Sequence, residues 1–125
     1  VLVAHNMSFD LPVVGAELVR LRGKNILQDV PTICTKEAST DFCKIPFPRG
    51  GRGYKWPTLQ ELHDTLFGER FDDAHDAGAD VEAGARCLLE LLERGIVKNP
   101  TLTSQKTTKL DIFLNKNNRT GNPPF

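Results

Sequence analysis

With 125 residues the chain is long enough to bury the core of one domain and too short for two. Its basic and acidic residues cancel to a net charge of zero, yet they are not evenly mixed. Glu61 to Glu82 holds eight acids and one base, and Lys44 to Lys55 holds four bases and no acid. Such separation suits a protein that holds both a cation and a polyanion, or else marks two solvated faces. No apolar stretch is long enough to cross a bilayer and no signal sequence is present, so the expectation is a cytoplasmic protein with no membrane partner. Cys34, Cys43 and Cys87 are odd in number, widely spaced and without a C-x-x-C pair. That argues against a disulfide framework or a zinc ribbon, and free thiols as small apolar filler fit better.

Val1 to Ala4 reads as the end of a buried strand. The chain opens inside this apolar run, which suggests a fragment. His5 to Ser8 is the turn out of the strand. A helix is expected from about Asp10, with Pro12 in its first turn, where the missing N–H costs nothing. Leu11, Val14, Leu18 and Leu21 share one face, and Gly23 is the stop. Asn25 to Thr40 is ambiguous: Pro31 to Thr35 is a strand or an extended loop, and Lys36 to Phe42 a helical turn. Ile45 to Pro57 carries three prolines and three glycines and is a loop.

Thr58-Leu59-Gln60-Glu61 is a capping box that opens the next helix. Leu59, Leu62, Leu66 and Phe67 form its buried stripe, Gly68 ends it, and His63 reads as partly exposed. The last strong helix is expected from about Asp76 to Arg94, with Val81, Ala85, Leu88, Leu89 and Leu92 as its apolar face. Gly95 caps it, and Ile96-Val97 then packs or frays. Residues 1–97 form the domain, and residues 98–125, rich in Thr, Ser, Asn and Lys, read as a polar tail or linker.

Two stretches carry chemistry. In His75-Asp76-Ala77-Gly78-Ala79-Asp80, a carboxylate falls in the first turns of a helix, where the N-terminal dipole keeps it ionised. Two helical residues five apart point about 140° away from each other. His75 therefore shares a cleft with Asp80 only from the loop before the helix. From there an imidazole is placed to take a proton from water, and Asp80 to hold a hard cation through oxygen. His5-Asn6-Met7-Ser8-Phe9-Asp10 is a second corner ending in an aspartate, with Phe9 turned to the core and Asp10 to the cleft. Carboxylates at such corners, distant in sequence, are how two-metal sites are assembled. For each stretch alone, an ordinary acidic helix start is the competing account.

His5-Asn6-x-x-Phe9-Asp10, then Tyr54-Lys55-Trp56-Pro57-x-Leu59-x-Glu61-Leu62, then Leu66-Phe67-Gly68, then His75-x-Ala77-x-x-Asp80 resembles the DnaQ-like (DEDDh) 3′–5′ exonucleases, which include proofreading subunits of bacterial DNA polymerases. The resemblance covers about residues 1–97. It implies an α/β, ribonuclease H-like fold, a mixed sheet with flanking helices, incomplete at the N-terminus. It also implies hydrolysis of nucleic acid from the 3′ end with two divalent ions, Mg²⁺ or Mn²⁺, in DNA proofreading or repair. By motif match Asp10 and Asp80 are metal carboxylates and His75 the general base, while His5, Asn6 and Phe9 lie near the terminal nucleotide. The family's first motif, Asp-x-Glu on the opening strand, does not occur before His5, and the chain as given is expected to be inactive alone.

The basic loop offers Arg49, Arg52 and Lys55 to the phosphates of DNA or RNA. Tyr54 and Trp56 either stack on bases or pack beneath the following helix. Lys109-Leu110-Asp111-Ile112-Phe113 is similar to the peptide with which replication proteins dock on a sliding clamp, so a clamp or a polymerase is a candidate partner through Leu110 to Phe113. Two alternatives stand beside the exonuclease. One is a non-catalytic nucleic-acid or clamp-binding module on the same fold. The other is an HD-type phosphohydrolase built on His63-Asp64 and His75-Asp76.

Overall fold

The computed structural model describes residues 1–72 and 74–98. The expected tail, with Leu110 to Phe113, lies outside the described residues. The fold is mixed α/β: strand β1 (Leu2–Ala4), helix α1 (Met7–Arg22), strand β2 (Thr32–Cys34), and helices α2 (Thr35–Cys43), α3 (Leu59–Phe67) and α4 (Ala77–Glu93). β1 and β2 run parallel, with Val3 opposite Ile33, and α1 makes the crossover between them. The ambiguous segment thus resolves into a strand followed directly by a helix.

α1 begins three residues earlier than expected, because the Asn6 carbonyl accepts from the N–H groups of Phe9 and Asp10 at 2.9 and 3.0 Å. Pro12 therefore lies inside the helix rather than in its first turn, where it withholds one backbone hydrogen bond. The expected apolar face of α1 is only partly covered. Leu11 and Leu18 are half-buried, Val14 is exposed, and Leu21 is 80% exposed. The close contact of α1 is instead at Gly15. A Cβ there would come within 2.7 Å of the Asn25 amide nitrogen, so the missing side chain lets the returning loop lie against the helix. β1 is likewise less buried than expected: Leu2 and Ala4 are half-buried and Val3 is 38% exposed.

The core lies on the other side of the molecule. Ile33, Leu62, Leu66, Cys87, Leu91 and Val97 form one cluster, with Phe42, Leu59, Phe67, Leu88 and Leu92 packed around it. α3 starts where the capping box puts it: Thr58 Oγ1 accepts from Glu61 N at 3.1 Å, and Glu61 Oε2 accepts from Thr58 N at 2.8 Å. Gly68 ends α3 at φ 70°. α4 buries Ala83, Cys87 and Leu91, while Val81 and Leu89 are 72% and 66% exposed. The buried seam is thus rotated from the expected face: Leu88 and Leu92 still pack on the core, but its centre is Cys87 and Leu91, against Leu62 and Leu66 of α3. At its end Ile96 N donates to Leu91 O and Gly95 N to Leu92 O, the Schellman pattern. This places Val97 in the core rather than letting it fray.

His63 is not the partly exposed residue expected. It is 1% exposed, donating from Nδ1 to Glu69 O at 2.7 Å and accepting at Nε2 from Arg86 at 3.2 Å. Phe67 and Phe71 pack against its ring.

Candidate functional site

His5 leaves β1 and is locked on both ring nitrogens. Pro57 O, 2.8 Å from Nε2, can only accept, so Nε2 carries the proton, and Nδ1 takes the Thr35 hydroxyl at 3.0 Å. Burial pushes the His5 pKa down, with nearby Lys36 adding to the effect. The hydrogen bond to Pro57 and the charge of Asp10 oppose it without reversing it. His5 is thus a neutral tie between β1, the start of α2 and the start of α3. With both nitrogens engaged inside the protein, it has no free ring nitrogen for a nucleotide.

Asn6 follows as the residue before α1. Its Oδ1 accepts from Lys36 Nζ at 2.8 Å and from Ser8 Oγ at 3.1 Å. Phe9 is 64% exposed. It does not turn to the core as expected: it lies within α1 on a face that no described element covers. Asp10, one position on, lines a cleft.

That cleft, about 620 Å³, runs between β1 with the start of α1 and the first half of α4. Its polar lining includes His5, Asn6, Asp10 and Asp80, and its apolar lining includes Val3, Val81, Ala85 and Leu88. The fold therefore brings the two acidic corners to one cavity. Asp80 sits in the first turn of α4, which Asp76 caps by accepting from Ala79 N at 3.0 Å. His75 precedes that cap, in the loop, as the directional argument requires. Its φ of 79° is left-handed, a conformation a non-glycine residue adopts at a cost. Its backbone N–H reaches Asp80 Oδ1 at 3.3 Å. The contact between the two residues is therefore backbone to carboxylate; the exposed His75 side chain is not part of the cleft lining.

Asp10 and Asp80 are hard oxygen donors, suited to Mg²⁺ or Mn²⁺. Among the described residues, however, no three His, Cys, Asp or Glu side chains converge on a point. The described residues do not make a complete metal centre.

The loop after α2 is more ordered than its proline and glycine content suggests. Pro46 and Tyr54 form an antiparallel bridge, and Lys55 N donates to Ile45 O at 2.8 Å, closing a hairpin whose tip turns at Gly50 and Gly51, both at positive φ. Arg49 and Arg52 are exposed and make no salt bridge among the described residues. Lys55 differs: its Nζ contacts both Glu61 carboxylate oxygens at 2.7 and 2.9 Å, so it fastens the hairpin to α3 instead of facing a phosphate. Trp56 does not pack beneath α3. It is 61% exposed, with Lys36 Nζ 4.1 Å above its ring. Lys36 was not evident from the sequence, because it lies in the ambiguous segment and meets Asn6 and Trp56 only through the tertiary fold.

Two further groups lie away from the cleft. His63 borders a separate pocket with Asp72, Glu82 and Arg86, so the two His-Asp pairs do not share one site. The three cysteines are free, and burial raises the Cys43 thiol and pushes Cys87 up to about 11, which leaves both inert at neutral pH. No helix among the described residues is long and apolar enough to cross a membrane. None of the family models, curated proteins or solved structures compared with the chain matches it.

Proposed function

We propose that the cleft between β1 and α4 belongs to a 3′–5′ exonuclease of the DnaQ-like kind, on a ribonuclease H-like fold, acting in the cytoplasm on the 3′ ends of DNA or RNA. One observation carries the reading. Two acidic corners far apart in sequence, ending in Asp10 and Asp80, line the same cavity. In this reading both carboxylates help to hold divalent ions, which would supply charge stabilisation to phosphodiester hydrolysis. In the same reading His75, whose backbone N–H reaches Asp80, serves as the base that takes the proton of water once its exposed side chain turns into the cleft. The further carboxylates such a site needs are not among the described residues that line the cleft.

That shortfall favours a second reading, a nucleic-acid-binding module that keeps the cleft but does not cut. The experiment that separates them uses the product of the complete open reading frame and a 5′-labelled single strand with Mg²⁺ or Mn²⁺. Stepwise shortening from the 3′ end is expected. Asp80→Ala should abolish it, and His75→Ala should slow it about a hundredfold or more, the usual contribution of a general base. Near wild-type rates in both variants would remove the assignment, and binding without cleavage would favour the module.

A further inference from the structure

We infer that Trp56 and Lys36 form a stacking platform for an unpaired base at the edge of the cleft, and that the Arg49–Arg52 hairpin continues the path of a single strand away from it. This rests on the nucleic-acid part of the proposed function and not on hydrolysis. Lys36 joins three features. It donates to Asn6 Oδ1, a cleft residue, at 2.8 Å; it lies over the Trp56 ring at 4.1 Å; and it is half-buried, so its position is set by the fold. Lys36 covers one face of the indole. Trp56 is 61% exposed, and among the described residues Lys36 is the cation over its ring. An indole held from behind by a cation presents its remaining face for stacking on a base.

The same pairing recurs along the hairpin. Phe47 and Tyr54, 43% and 41% exposed, flank Arg49 and Arg52. Lys44 to Lys55 contains no acid. Because Lys55 is neutralised by Glu61, the two arginines carry the free positive charge of the tip. Aromatic faces alternating with cations bind single strands by stacking and charge together. A duplex hides its base faces and could use only the charge. His5 fixes the platform's position, since its bond to Pro57 O anchors the residue after Trp56 to the cleft.

Trp56 is the only tryptophan in the chain, so its emission reports on the platform directly. The 125-residue chain would be titrated with an oligothymidylate of about 12 nucleotides, a length suited to one such surface, in EDTA so that no cleavage occurs. Quenching of Trp56 is expected with the single strand and not with a blunt duplex, heparin or polyglutamate. With a labelled strand followed by anisotropy, Trp56→Ala should weaken binding about tenfold to a hundredfold, and Trp56→Phe should restore most of it. Arg49→Ala with Arg52→Ala should lower the salt dependence by roughly 0.7 per lost phosphate contact. Equal quenching by duplex or heparin would reduce the surface to a polyanion contact, and quenching by polyglutamate would make it a peptide site. Either outcome, or no quenching at all, overturns the inference. A protein that binds in this way but cuts nothing loses the exonuclease reading alone.

Discussion

Glu61 shows how one side chain can do two jobs. It closes the α3 capping box through the Thr58 N–H and holds the hairpin through Lys55. Burial alone would raise its carboxyl, but the hydrogen bonds from Lys55 and Thr58 outweigh it and hold the pKa below the ordinary 4.5. A carboxyl lowered in the folded state contributes stability that is complete above the unfolded value and is lost as the pH falls through the folded one. The gap in melting temperature between the wild type and Glu61→Gln should therefore be widest near neutral pH and close below about 4.5. Thr58→Ala should cost about 1 kcal/mol, or about 4–8 °C in melting temperature for a domain of this size. Scanning calorimetry across pH tests both.

At the scale of elements, α4 marks the limit of periodicity as a guide. The helix is apolar around much of its circumference: Leu88, Leu91 and Leu92 meet the core, while Val81 and Leu89 lie on the exposed side. Pattern reading weighs hydrophobicity and so favoured them. The buried seam is set by what packs against the helix, and Cys87 and Leu91 are the positions that meet Leu62 and Leu66 of α3. Leu91→Ala, at a fully buried position, should cost about 2–5 kcal/mol. Leu89→Ala should stay within about 0.5 kcal/mol. Comparable losses in urea unfolding would mean that the seam is wrongly placed. By contrast, the starts of α3 and α4 and the stops at Gly23, Gly68 and Gly95 were legible, because caps depend on residues within one turn of each other. The convergence of Asp10 and Asp80 was legible only through motif order. The Lys36–Trp56 contact was not legible at all, since nothing local ties a helix residue to a loop residue 20 positions away.

Across the whole molecule the two sides are unequal. α2, α3, α4 and β2 share the main core, whereas β1 and α1 leave Val3, Val13, Val14, Val19 and Leu21 largely exposed. The cleft lies on the seam between these sides, with Asp10 from one and Asp80 from the other. The relative placement of the two carboxylates thus depends on how firmly the sides are joined. His5 is one of the joints, through its bonds to Thr35 and Pro57.

That joint has a kinetic consequence. α3 and α4 follow each other in the chain and meet after closing a short loop, whereas β1 reaches β2 only across α1. Local packing forms early and non-local pairing late. The His5 contacts would then be absent from the transition state for folding. In a stopped-flow chevron, His5→Ala should leave the refolding arm in place and raise the unfolding rate by nearly the whole loss of stability. A refolding rate that fell in proportion would instead place β1 in the nucleus, making the seam beneath the cleft the first thing the chain builds.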